Sequence, residues 1–122
     1  PAHCTAIGKL MLSSLPKVEL SASIEAMPRP SYTANTITKT KLLLTALEDI
    51  CQDGIGTDNQ EFMHGVVCVA VPVIGHGKRF LGGIAISAPE ARMTLNKMLG
   101  FVPLMKEVAE KLAATYRRDI VA

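Results

Sequence analysis

The fold is decided by two apolar runs in the middle of the chain, GVVCVAVPVI at positions 65–74 and FLGGIAIS at positions 80–87. Both runs are rich in β-branched residues, and the turn between them is short enough to join two neighbouring strands of a hairpin. The first run lacks a regular polar alternation, so we expect helices to cover both faces of the sheet. Pro72 has no amide hydrogen for a ladder, so it should lie at a bulge or on an unpaired side of its strand.

Helices are predicted before the hairpin. The spacing of apolar residues predicts a first helix over residues 5–15 and a short second helix over residues 16–24. A third helix keeps a 3.6-residue apolar period over residues 43–51 and ends where Gly54 offers a left-handed cap. The polar segment at residues 55–61 leads into the hairpin and has room for one further strand near its start.

A last helical region is predicted over residues 94–117, and Pro103 is expected to kink or divide it. Its apolar side chains are assigned to one side: Met98, Phe101, Met105, Val108, Leu112 and Tyr116. A methionine-rich surface of this kind is typical of interfaces. In addition, a sheet with only two or three strands would leave an apolar edge at Val69, Val71 and Val73. We therefore expect self-association, unless these side chains cover the chain's own sheet.

Composition limits the classes of protein that fit. The 122 residues suffice for one domain with one core, and no apolar run approaches the ~20 residues of a membrane span. A net charge of +2 is too small to indicate nucleic-acid binding. Three cysteines without paired spacing argue against a disulfide scaffold or a zinc site and indicate the cytoplasm. The chain starts without methionine, so upstream sequence is expected.

The start of the first helix is a candidate anion site. Thr5 is suited to the N-cap, and Ala6, Ile7 and Gly8 then occupy the first turn. Free amides and the positive end of the helix dipole favour a small carboxylate there. An ordinary capped helix explains the same residues.

Three side chains on or beside the hairpin are further candidates. Asp58 is able to accept a hydrogen bond from a ligand hydroxyl or to solvate a turn, and Ser87 to donate to a ligand or to bond back to the chain. Cys68 lies among valines and is either an inert small hydrophobe or a thiol that faces a pocket. A cysteine-dependent enzyme that uses Cys68 with a histidine is the alternative, although neither His64 nor His3 is placed by sequence to act as its base.

Several motifs taken together resemble one family. They are HCTAIGK at positions 3–9, TIT at 36–38 before a leucine-rich helix, Asp58 to Glu61, GVVCVAVP at 65–72 and IAISAPEAR at 84–92. In this order and spacing they resemble the C-terminal effector-binding domain of IclR-family transcriptional regulators, from Pro1 to about Tyr116.

The resemblance implies a GAF-like α/β (α+β) domain in which helices flank an antiparallel sheet. The whole chain, residues 1–122, would be a fragment of this domain that lacks its N-terminal strands and the preceding winged helix-turn-helix domain. The parent would bind DNA only through that absent domain and would be a cytoplasmic homodimer or homotetramer. No cofactor, metal or membrane contact is implied.

The resemblance also implies an effector, a small organic acid, and the residues that bind it. These are Ala6, Ile7, Asp58, Val66, Cys68 and Ser87. Members that bind keto acids have a second serine where this chain has Ala85, so its ligand is expected to be different or less polar at that edge.

Overall fold

The two apolar runs form the long strands of one antiparallel sheet. In a computed structural model that describes residues 1–121, and side chains as far as residue 117, the strand order is β1-β2-β3. The strands are β1 (Gly56–Asn59), β2 (Val66–Ile74) and β3 (Phe80–Pro89). The predicted hairpin is confirmed, and β3 extends through Pro89, which pairs with Val66.

Pro72 lies where β2 has a neighbour on one side. β1 pairs with β2 only as far as Ala70, whereas Pro72 pairs with Gly83 of β3, and the register shifts between Val73 and Ile74. The missing amide hydrogen of Pro72 therefore costs no bond to β1, as the sequence predicted.

Within the described residues, five α-helices surround the sheet, and side-chain caps or backbone chemistry mark several of their ends. They are α1 (Ala6–Ser13), α2 (Lys17–Ala26), α3 (Thr40–Asp53), α4 (Leu95–Met98) and α5 (Val102–Val121). The Thr5 hydroxyl caps α1 by accepting a hydrogen bond from Gly8 N at 3.1 Å, and Gly54 ends α3 with a φ of 68°. Pro103 lies in the first turn of α5, after a short 3₁₀ turn that divides α4 from α5. No helix in the described residues is long and apolar enough to span a membrane.

One face of the sheet packs against α4 and α5. Its core consists of Val67, Val69, Val71 and Val73 from β2 with Met98, Val102, Met105, Ala109 and Ala113 from the helices. The predicted exposed edge at Val69, Val71 and Val73 is wrong, because α5 covers all three side chains.

The predicted single stripe on the last helical region is also wrong, since it divides between two sides. Met98 and Met105 are buried against the sheet, whereas Phe101, Val108 and Leu112 are exposed. Inward positions of α5 recur at the helical period from Val102, and the exposed ones lie on an adjacent side.

The opposite face packs against α1 and α3 through a second core that includes Leu10, Leu43, Leu47 and Ala70. Small residues let α1 lie directly on the sheet. A side chain on Gly56 would collide with the carbonyl of Ala6, and one on Gly83 would contact Ile7 and Leu10. The helix N-terminus is therefore held against this face of β1.

Candidate ligand-binding site

Three of the predicted site residues form a row across the sheet, one from each strand. Asp58 of β1 pairs with Cys68 of β2, and Cys68 pairs with Ser87 of β3. Directly paired residues point to the same face, with Cβ atoms about 4.5–5.5 Å apart. The register thus brings together side chains up to 29 positions apart in sequence. We refer to Asp58, Cys68 and Ser87 as the polar row.

The N-terminus of α1 lies on the same face as the polar row. The Thr5 hydroxyl uses the amide of Gly8, so the amides of Ala6 and Ile7 are donors that no protein acceptor uses within the described residues. Gly8 itself is needed for packing, because a Cβ there would collide with Ala2 and the Thr5 hydroxyl. Val66, two residues before Cys68 on β2, also faces this side. All six predicted positions therefore lie on one face of the sheet.

Asp58 is buried, with 6% of its surface exposed. Its Oδ1 accepts a hydrogen bond from Glu61 N at 2.7 Å. Burial raises the pKa of Asp58 above its ordinary value, and the negative charge of Glu61 raises the pKa further, while the hydrogen bond and Lys9 oppose the rise. The carboxylate is thus placed where a ligand donor would be favoured.

A buried ion pair stands beside Asp58, and sequence reasoning missed it. Lys9 Nζ lies 2.7 Å from Glu61 Oε1, and both side chains are more than nine-tenths buried. Asn59 N donates to the other Glu61 oxygen at 3.0 Å. The available signal was Lys9 itself, one position before Leu10 on the inner side of α1, since a buried lysine requires a partner.

The surroundings of Cys68 disfavour the thiolate form that a nucleophilic cysteine needs. Burial raises the pKa of its thiol, and the charge of Asp58 raises it further. His64 is exposed, and His3 is buried with Nε2 2.9 Å from the carbonyl oxygen of Pro30. A catalytic cysteine needs a lowered pKa and an adjacent base. The pKa of Cys68 is raised instead, and neither histidine forms a hydrogen bond with its thiol among the described residues. Nor do the described residues contain a cluster of three or more side chains that could hold a metal ion.

The β3 end of the polar row is open. Ser87 is exposed and makes no hydrogen bond with another described residue, and Ala85 is exposed on the same face. The alternative in which Ser87 bonds back to the chain is therefore not adopted. The row has a buried, charged end at Asp58 and an accessible end at Ser87.

Two grooves lie away from the polar row. One, of about 410 Å³, runs between α2 and α3 and is lined by Leu20, Leu44 and Cys51 among others. The other, of about 420 Å³, lies between β3 and α5 beside Leu81 and Leu112. Neither contains one of the six predicted positions.

An antiparallel sheet between helices, with a helix N-terminus laid over a polar row, defines the class of the molecule: it is a GAF-like domain. Residues 1–114 match the family described as the C-terminal domain of bacterial IclR transcriptional regulators. The chain belongs to the IclR family and corresponds to its C-terminal domain.

Individual relatives support the family assignment. The chain is 37% identical over 116 residues to the probable transcriptional regulator SauR of Cupriavidus necator, which is 95% of this chain and 46% of that protein. The C-terminal domain of the Escherichia coli regulator KdgR superposes with a TM-score of 0.86 at 32% identity, covering 93% of this chain and 70% of that structure.

The inducer-binding domain of Acinetobacter PobR, a double mutant in complex with 3-hydroxybenzoic acid, superposes with a TM-score of 0.88 at 26% identity, covering 93% of this chain and 65% of that structure. The chain spans about half the length of the curated relatives that it matches.

Proposed function

We propose that this chain is the effector-binding part of an IclR-type regulator and that it binds a small organic acid on the α1 face of the sheet. The observation that carries the proposal is the pair of unused amides, Ala6 N and Ile7 N, on the same face as the polar row. Unused donors at the positive end of a helix favour an anion.

The proposed pose places the ligand carboxylate on the amides of Ala6 and Ile7. The remainder of the ligand then lies along the polar row, with a donor toward Asp58, a polar group toward Ser87, and Val66 and Cys68 as the wall. Support comes from PobR, whose inducer-binding domain was solved with an acid that also carries a hydroxyl group. Ala85 makes the Ser87 end of the row less polar than in keto-acid-binding members.

The proposed consequence of binding is a change in DNA affinity of the whole regulator. The winged helix-turn-helix domain and the remaining strands of the sensor domain would belong to other parts of the polypeptide, which acts in the bacterial cytoplasm. The effector must bind one arrangement of the regulator more tightly than another, because only that difference shifts DNA binding.

The regulator is proposed to be a homodimer or homotetramer. The support is the outer side of α5, where Leu104, Val108 and Leu112 are exposed, together with exposed Phe101 in the turn before it. Light scattering with size exclusion at several concentrations checks it, and a 13.1 kDa monomer throughout would contradict it for this chain.

We also propose that the chain catalyses no reaction. The raised pKa of the Cys68 thiol keeps it protonated near neutral pH, which is unsuited to nucleophilic attack. A thiol titration that gave Cys68 a pKa below the ordinary value of 9.0 would favour the enzyme instead.

The direct test of acid binding is calorimetry with small hydroxy and keto acids and with their amides. The amides keep the shape but lose the charge, so we expect them to bind about tenfold more weakly, as befits a partly buried helix terminus. Equal affinity for acids and amides would contradict the proposal.

A further inference from the structure

We infer that Lys9 and Glu61 are positioning residues that hold the Asp58 carboxylate at a fixed place relative to the α1 amides, so that the site selects acids carrying a hydrogen-bond donor. The inference rests on the proposed function and concerns residues outside the six predicted positions.

Glu61 joins the segments that surround the site. Its backbone N–H donates to Asp58 Oδ1, one carboxylate oxygen accepts from Asn59 N, and the other binds Lys9. Its carbonyl accepts the Thr36 hydroxyl at 2.5 Å, which ties the turn at residues 31–36 to the same point. One residue thus fixes β1, α1 and this turn together.

Lys9 carries that connection to the anion-binding turn. It lies three residues after Ala6 on the same helix, a rise of about 4.5 Å. Because the helix is rigid over this distance, fixing Lys9 against Glu61 also fixes the amides of Ala6 and Ile7 relative to Asp58. The protein groups proposed to bind the two ends of the ligand are therefore held at a fixed separation.

The charge balance of the cluster decides what the ligand must bring. Lys9 forms its ion pair with Glu61, so Asp58 is a buried carboxylate without an ion-pair partner among the described residues. The ionisable groups that act on the Asp58 carboxyl are Glu61, which raises its pKa, and Lys9, which lowers it. Burial raises the pKa of the Cys4 and Cys68 thiols, and Asp58 raises both further. None of these supplies a second cation. An acid that reaches Asp58 is therefore favoured if it carries a hydroxyl donor and disfavoured if it presents only acceptors.

A buried ion pair is also a costly way to stabilise a fold, since apolar residues of similar volume often stabilise as well or better. A positioning role accounts for charges at this place. It predicts an effect on ligand choice that a purely stabilising role does not.

The test compares lactate with propionate, which differ by one hydroxyl group. Calorimetry on the wild type should show lactate binding about tenfold more tightly, the effect of one hydrogen bond to a charged group. In the neutral double variant Lys9→Met with Glu61→Gln the preference should fall to about twofold or less, while propionate affinity stays within about twofold. The glutamine keeps an acceptor for Asn59 N.

The chain offers a matched control in the exposed pair Lys111–Glu107, 3.5 Å apart on α5. Lys111→Met with Glu107→Gln makes the same chemical change at the surface and should leave both affinities unchanged. Asp58→Ala should also abolish the preference, and adding it to the Lys9 and Glu61 changes should have no further effect on the preference.

Circular dichroism verifies folding, and Lys9→Gln with Glu61→Gln replaces the first variant if that one fails to fold. Equal losses for both acids, or a full retained preference, would overturn the positioning role and leave acid binding intact. Failure of the wild type to bind any acid would instead reject the proposed function.

Discussion

The two faces of the sheet differ in chemistry although β2 contributes to both. On the α5 side β2 presents Val67, Val69, Val71 and Val73, all buried. On the α1 side, beside the apolar Val66, the sheet presents several small or polar residues: Gly56, Asp58, Cys68, Ala70 and Ser87. Strand alternation gives each face its own set of side chains, so one strand can serve two purposes. The α5 face carries stability, and the α1 face carries the polar groups of the proposed site.

The energetic consequences of a change should therefore depend on the face. Aliphatic burial contributes roughly 25 cal/mol per Å² and depends on close packing. A buried ion pair gives little net stability but is costly to break singly.

The largest effect is expected on the α1 face from Lys9→Met alone. This change leaves Glu61 buried and uncompensated, and the free energy of unfolding should fall by about 3–5 kcal/mol. Urea denaturation measures the loss. Adding Glu61→Gln should recover most of it, and a single variant as stable as the wild type would show that the ion pair is not desolvated as described.

On the α5 face, Met98→Ala should lower the free energy of unfolding by about 2–5 kcal/mol, because Met98 is 1% exposed and leaves a cavity. Affinity for acids should stay at the wild-type value, since Met98 packs on the opposite face from the polar row. Denaturation and calorimetry on one preparation separate the two quantities. A large loss of affinity would mean that the faces are not independent.

Substitutions in the polar row should lower the affinity for acids more than they lower stability. Asp58→Ala and Ser87→Ala should each weaken acid binding by about 1–3 kcal/mol where a ligand group loses its partner, and Ser87→Ala should change global stability little. Ser21→Ala, at an exposed serine of α2, serves as the matched control. Wild-type affinity in both row variants would remove the row from the site.

Asp58→Asn should show that the site is kept at the expense of stability. The pKa of Asp58 is raised in the folded protein, chiefly by burial, so its favourable contribution is complete below its ordinary pKa of 3.8 and is lost as the pH rises through the folded value. At a pH above the folded pKa the wild type buries an anion, and asparagine does not. The stability advantage of the variant should therefore grow as the pH rises through the folded pKa and should vanish below about pH 4 in urea titrations. An advantage that does not change with pH would contradict this reading.

The sequence predicted the fold well where one element decides its own structure. Residues 65–87 form a hairpin from β-branched composition alone, and Gly54 and Pro103 mark helix ends through backbone chemistry. The side of α5 that faces the sheet was assigned wrongly, because the 3₁₀ turn and the packing angle after Met98 are set by the tertiary fold.

The site was predictable only in part. Ala6, Ile7, Asp58, Cys68 and Ser87 were candidates from the residues themselves, and Val66 came from the family resemblance. Their common face became apparent only with the strand register. The pair Lys9–Glu61 joins residues 52 positions apart, and no local period signals such a contact.

The central claim is that an acid binds the α1 face at the helix N-terminus and polar row. A ¹H–¹⁵N NMR titration with lactate tests it most directly, because each amide reports its own surroundings. We expect progressive shifts for the amides of Ala6, Ile7 and residues 58, 68 and 87, with residues 102–113 of α5 unchanged. Shifts confined to α5 or to the groove between α2 and α3 would contradict the account.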